Sequence, residues 1–155
     1  MADPLFLLFA CDEKPEIEPP VYELTIVVTD TLRQALVGAW VNLFNEFDEL
    51  RAEKTQNPQG LPGASSEALQ SGMTDADGRI VFSGIIRPGS VLNGTLYSPF
   101  ALYVRSTALR VAGNDTTYLT NDVARYNGPT PDVISFETIT GGGQQIARTI
   151  EIEVR

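Results

Sequence analysis

The sequence predicts an all-β protein: a single antiparallel β-sandwich of about seven strands, interrupted by one long insertion with room for a short helix. Three observations carry this expectation. Apolar and polar residues alternate with period two near both ends of the domain, from Tyr22 to Val28 and from Thr149 to Val154. Thirteen glycines and ten prolines punctuate the runs between them. Those runs are short and rich in Val, Ile, Thr, Tyr and Phe, the residues that suit a pleated surface.

The strands follow in order. Tyr22, Leu24, Ile26 and Val28 alternate with Val21, Glu23, Thr25 and Val27, and Thr29-Asp30-Thr31 turns the chain. Ala35 to Phe44 reads as a second strand, with Val37, Ala39, Val41 and Leu43 on one face. Trp40 is either a core residue or, if that face is the buried one, an outward-facing binding platform, and spacing alone does not decide between the two. The insertion runs from Asn45 to Gln70. Its first part suits a helix over 45–54, with Asn45 as cap and Phe47, Leu50 and Lys54 on one side. Its second part, Asn57-Pro58-Gln59-Gly60-Leu61-Pro62-Gly63, is loop chemistry, and a connection this long inside a compact domain is often functional. Thr74-Asp75-Ala76-Asp77-Gly78-Arg79 has the composition of a tight hairpin turn. Ile80 to Ile86, one or two strands within Val91 to Thr107, Thr116 to Thr120 and Asp132 to Thr138 continue the pattern. Gly141-Gly142-Gly143 is a break, and Ile150, Ile152 and Val154 point inward from the last strand.

Composition narrows the chemistry. The chain has 155 residues, enough for one domain with a proper core. Its net charge is −9, from 20 acids against 11 bases, which disfavours nucleic acid and anionic lipid surfaces as partners. Histidine is absent, which removes every Ser-His-Asp and Cys-His mechanism and the commonest zinc ligand. One cysteine forms neither an intrachain disulfide nor a cysteine metal cage. No run reaches the roughly 20 apolar residues of a membrane helix.

The order of motifs resembles a known family. Val37-Gly38-Ala39-Trp40-Val41-Asn42-Leu43-Phe44 is followed, after the insertion, by Thr74-Asp75-Ala76-Asp77-Gly78-Arg79-Ile80-Val81-Phe82 and a Pro-Gly pair. This resembles the transthyretin-like, carboxypeptidase-regulatory-like sandwiches, a group that includes the Cna-B repeats and has immunoglobulin-like architecture. The likeness covers Tyr22 to Val104. Where that family carries an aromatic strand after the Pro-Gly turn, this chain has Gly89-Ser90-Val91-Leu92. The resemblance implies a domain of 21–155 that is a non-catalytic spacer, adhesion module or accessory subunit, without a cofactor. The enzymatic relatives of transthyretin depend on histidines, and the isopeptide bond of Cna-B repeats needs a first-strand lysine; both are missing here.

The first 20 residues read differently. Leu5-Phe6-Leu7-Leu8-Phe9-Ala10 is a short apolar run closed by a small residue before Cys11, and Asp12 to Pro20 is an acidic, proline-rich tether. This resembles a bacterial lipoprotein signal, in which the leader is cut before Cys11 and the cysteine is acylated. The n-region departs from that pattern, with Asp3 and no Lys or Arg. The resemblance implies lipid anchoring at the outer membrane, facing the periplasm or the surface, with the acyl chains as the membrane contact. The other reading makes the segment an N-terminal strand with Cys11 in a core.

The candidate binding residues are aromatic: Trp40, Phe47, Tyr97, Tyr103 and Tyr118. They suit either another envelope protein or, as the alternative, a glycan of an uptake system. A coplanar exposed set would favour sugar, whereas a contiguous apolar patch beside the insertion would favour protein. Asp75 and Asp77, with Asp30, are a weak calcium candidate, because they supply only the start of an oxygen cage.

Overall fold

The computed structural model describes residues 21–86, 90–92, 95–97, 100–122, 133–136 and 145–155. The leader, Cys11, the tether, the Pro88-Gly89 turn and the triple glycine lie outside them. The strands are β1 (Val21–Thr29), β2 (Trp40–Phe44), β3 (Gln70–Met73), β4 (Arg79–Ile86), β5 (Ser90–Leu92), β6 (Thr95–Tyr97), β7 (Phe100–Ala112), β8 (Asp115–Thr120), β9 (Val133–Phe136) and β10 (Gln145–Glu153). One helix, α1, spans Phe47–Gln56.

Two sheets face each other. The smaller has the order β10-β1-β4, and the larger the order β3-β2-β7-β8, with β9 also pairing β7; β5 and β6 form a separate ribbon. The predicted sandwich is present, with more strands than the expected seven. The alternation in β1 works as read: Tyr22, Leu24, Ile26 and Val28 are fully buried. They meet Val41 and Leu43 of β2, Leu102 and Val104 of β7 and Ile152 of β10 in one core. Each such side chain contributes roughly 1.5–3 kcal/mol on burial, which makes this core the main source of stability.

Four expectations are corrected. First, the sandwich is not wholly antiparallel, because β1 and β10 pair in parallel from Val21↔Gln145 to Thr29↔Glu153. Second, the Asp75–Gly78 turn does not join paired strands. It carries the chain from β3 in one sheet to β4 in the other. The turn closes on itself, with Gly78 N donating to Asp75 O at 3.0 Å and Asp75 N to Arg79 O at 2.8 Å. Thr74 Oγ1 braces it by accepting from Ala39 N at 2.9 Å. Third, the second strand begins at Trp40, not Ala35. Gly38 has φ +73°, which breaks the extended backbone, and a Cβ there would meet nothing within 4 Å. Gly38 therefore serves a turn, and Val37, expected on the apolar face, is exposed. Fourth, the helix starts two residues later than expected, at Phe47. Glu46, and not Asn45, is the cap residue, and the Glu49 carboxylate three residues on reaches back to accept from Glu46 N at 3.3 Å and Asn45 N at 3.1 Å.

The edges of the sandwich are stitched at both sides. Val154 N donates to Thr29 O, and Arg155 exchanges both backbone bonds with Thr120 at 2.9 and 3.1 Å. On the opposite side Gln70 Nε2 donates to Ser83 O at 3.1 Å.

Candidate binding face

The outer face of the larger sheet is where the candidate residues gather. In β2 the core-facing residues are Val41 and Leu43, so Trp40, Asn42 and Phe44 point outward. By the same alternation Tyr103, Arg105, Thr107, Leu109 and Val111 line the outer side of β7. This face is divided into a roofed half and a bare half.

The insertion forms the roof. Helix α1 packs on β2 and β7, and Phe44 and Leu50 are fully buried beneath it, apart from the main core. Polar side chains do most of the attachment. Asn42 Oδ1 accepts from Ser65 N at 2.8 Å and Asn42 Nδ2 donates to Gly63 O at 2.9 Å, while Ser71 Oγ, opposite it on β3, fixes the side chain with a 2.6 Å bond to Oδ1. Arg105, only 1% exposed, is the second anchor. Its Nη2 donates to Asp122 Oδ2 at 2.7 Å, its Nε lies 3.1 Å from the same oxygen, and its Nη1 donates to Asn57 O at 2.8 Å. Glu53 Oε1 approaches Nη1 at 3.5 Å, and Lys54 Nζ lies 3.7 Å from Asp122 Oδ1. Two cations thus meet two carboxylates, so no charge is left unpaired under the roof. Gly60 fits beside them with φ +76°, where a Cβ would collide with Thr120 Cγ2. Glu53 takes the inward position on the helix that the sequence reading gave to Lys54 and Phe47, because the guanidinium is there to receive it.

The bare half continues past the roof. Register places Met73 opposite Trp40, Leu109 one step diagonally from Trp40, and Tyr118 directly opposite Leu109. Val111 follows opposite Thr116. Leu109 is 53% exposed, Met73 56% and Val111 65%; Tyr118 is exposed and Trp40 half-buried. The interspersed residues are threonines, so the strip carries no charged side chain. It is an apolar patch bordering the insertion.

The predicted aromatics therefore fall into two groups. Phe47 and Tyr103 meet at the roofed end, with ring centroids 5.6 Å apart and planes tilted by 58°, and the Arg51 guanidinium lies 5.9 Å from the Phe47 centroid. Trp40 and Tyr118 belong to the bare strip, roughly 13 Å and 20 Å further along the strands respectively at about 3.3 Å per residue. Tyr97 is on β6, but its side chain lies outside the described residues, as does Cys11.

The calcium candidates are occupied with turn chemistry. Asp75 Oδ1 accepts from Asp77 N at 2.9 Å and Arg79 N at 3.0 Å, while Asp77 is exposed. Asp30 Oδ1 accepts from Leu32 N and Gln34 N, and its Oδ2 lies 3.5 Å from Arg110 Nη2. Among the described residues no group of three or more His, Cys, Asp or Glu side chains is placed to hold a metal ion.

Sequence reasoning missed the anchors Asn42, Glu53, Asn57, Arg105 and Asp122, and the strip residues Met73, Leu109 and Val111. A signal existed for Arg105, a cation set directly after the apolar run Phe100 to Val104 of its strand. For the strip it was the alternation of Leu109 and Val111 beyond the end of the core.

The sequence matches no protein-family model and no curated protein. Among solved structures, the fold is similar to the major pilin subunit BcpA of Bacillus cereus, at 17% identity and TM-score 0.44, over 87% of this chain and 30% of that one. It is also similar to the dioxygenase domain of a dioxygenase–carbohydrate-binding protein fusion from Streptomyces sp. SirexAA-E, at 13% identity and TM-score 0.40, over 92% and 82% of the two chains. A Pseudomonas aeruginosa protein assigned to carbohydrate binding gives 12% identity and TM-score 0.39, over 94% and 95%. This chain thus spans less than a third of the pilin subunit. These are distant likenesses of a β-sandwich, and the fold assignment stands on the strand pairing itself.

Proposed function

We propose that this chain is a non-catalytic accessory domain of a bacterial cell envelope that docks a protein partner on the bare half of the larger sheet. The uncharged strip Met73-Trp40-Leu109-Tyr118-Val111 carries this reading. Contiguous exposed apolar surface on a domain of net charge −9 fits a partner that brings apolar side chains of its own. The glycan alternative has less support, since the Phe47 and Tyr103 rings are tilted and Trp40 and Tyr118 stand apart from them. The location rests on the lipoprotein-like leader, with Cys11 as the acylated residue and Asp12 to Pro20 as the tether.

Photo-crosslinking in native envelopes tests the docking face. A photoreactive residue at Leu109 or Val111 is expected to give one discrete protein adduct, and one at Thr149, on the smaller sheet, none. Adducts of equal yield at all three positions would sink the reading. Binding of oligosaccharides that quenches Trp40 would transfer it to the glycan class. Intact mass of the membrane-extracted chain tests the anchor: it is expected to begin at an acylated Cys11, and an unmodified mass that includes Met1 would remove the lipid.

A further inference from the structure

We infer that the insertion is a hinged cover over the roofed half of this face, latched by Arg105, and that it opens as one unit while the sandwich stays folded. The ends of the insertion are neighbours. Leu43 pairs with Gln70 in the β2–β3 ladder, and Leu69 N donates to Leu43 O at 2.7 Å. A segment leaving and rejoining adjacent strands swings away without breaking a ladder. What holds it down is also unlike the core. Leu50 is the only fully buried apolar side chain that the described insertion contributes, and beside the Phe47–Tyr103 ring contact and the seat of Gly60 against Thr120 the attachments are hydrogen bonds and ion pairs centred on Asn42 and Arg105. Such contacts are largely replaced by water when the segment lifts, whereas apolar burial is not, so opening costs much less than unfolding.

The latch has a geometric logic. Arg105 is rooted in β7, Asp122 follows β8, and both stay with the sandwich. Glu53, Lys54 and Asn57 belong to the cover. Lifting the cover therefore leaves the Arg105–Asp122 pair intact and in water. It uncovers Phe44, Tyr103 and the Arg105 guanidinium, in line with the Trp40–Leu109 strip. In the open state the docking face runs the length of β2 and β7. That use of the cover rests on the proposed docking role, but the hinge does not, and the test reads the hinge in the chain alone.

Hydrogen exchange on the full chain, without partner, decides it. The amides of 47–69 are expected to exchange at a common opening rate, roughly 100-fold faster than those of β1 and the centre of β7. Arg105→Lys keeps the charge but loses the fork that grips Asp122 and Asn57 together. It is expected to speed exchange of 47–69 by about 10-fold further and leave β1 unchanged. Should Arg105→Lys fail to fold, the wild-type profile is sufficient. Equal protection of 47–69 and β1 would overturn the hinge, and so would residue-by-residue exchange in 47–69 with no shared rate. Adducts absent from Leu109 with the shared rate present would fault the docking role alone.

Discussion

The two outer faces of the sandwich are built to different ends. On the smaller sheet, β1 and its neighbours present Glu23, Thr25, Arg79, Thr149 and Glu151 around the partly exposed Val27 and the exposed Val81, so its apolar side chains are interspersed with charges of both signs. On the larger sheet the corresponding positions are either sealed under the insertion or left bare and uncharged. Charged side chains on an exposed sheet face are inexpensive and keep it in solution. Leaving Met73, Trp40, Leu109, Val111 and Tyr118 uncovered beside a purpose-built roof has no such benefit, and the contrast is the reason to place function on that side. The roof itself differs from the core in kind. The core holds through area, and the roof through a few directional contacts that join Asn57 to Arg105 and Gly63 to Asn42.

That contrast can be broken at several points, in descending order of effect on stability. Leu102→Ala in the shared core is expected to cost about 2–5 kcal/mol. Chemical denaturation should show Trp40 fluorescence and backbone circular dichroism lost in the same transition. A cost near zero would mean that the two sheets are not cooperatively packed. Gly60→Ala places a Cβ against Thr120 with the backbone in the left-handed region. It is expected to cost about 1–3 kcal/mol, taken from the cover. Limited proteolysis should then cut near Pro58–Ala64 several-fold faster than in the wild type while the sandwich persists as a resistant fragment. Cutting at an unchanged rate would show that Gly60 does not seat the loop. Smallest in stability is Leu109→Ser on the bare strip, expected within about 0.5 kcal/mol of wild type. Its effect should appear instead as loss of the crosslinked partner. A large fall in melting temperature would place Leu109 in the fold and not in a docking face.

Much of the sandwich was legible in the sequence because its core obeys a period. Tyr22 to Val28 and Ile150 to Val154 could be oriented by alternation alone, and burial follows that orientation. The parallel pairing of β1 with β10 could not, since both strands read the same in either direction and their partners are set by the rest of the sheet. The Asp75–Gly78 turn illustrates the same limit. Its local bonds suit a hairpin or an arch between sheets equally well, and only β3 and β4 decide which forms. The candidate face was half legible. Trp40, Tyr103, Phe47 and Tyr118 announced themselves by type, but their division into two groups depends on register. The Arg105 latch was hidden because it connects residues 17 and 48 positions apart, a relation that periodicity does not carry.

The most direct test of the central claim is oxidative footprinting of Met73, Trp40 and Tyr118. These are among the most readily oxidised side chain types, and here they sit on one strip. Hydroxyl-radical labelling would be compared between dilute purified protein and intact envelopes, with the exposed Met73 as the most sensitive reporter. The account predicts that all three are protected several-fold in the envelope, while residues of the smaller sheet are labelled alike in both. Equal labelling of Met73, Trp40 and Tyr118 in the two settings would mean that the strip meets nothing there, and the docking role would be wrong.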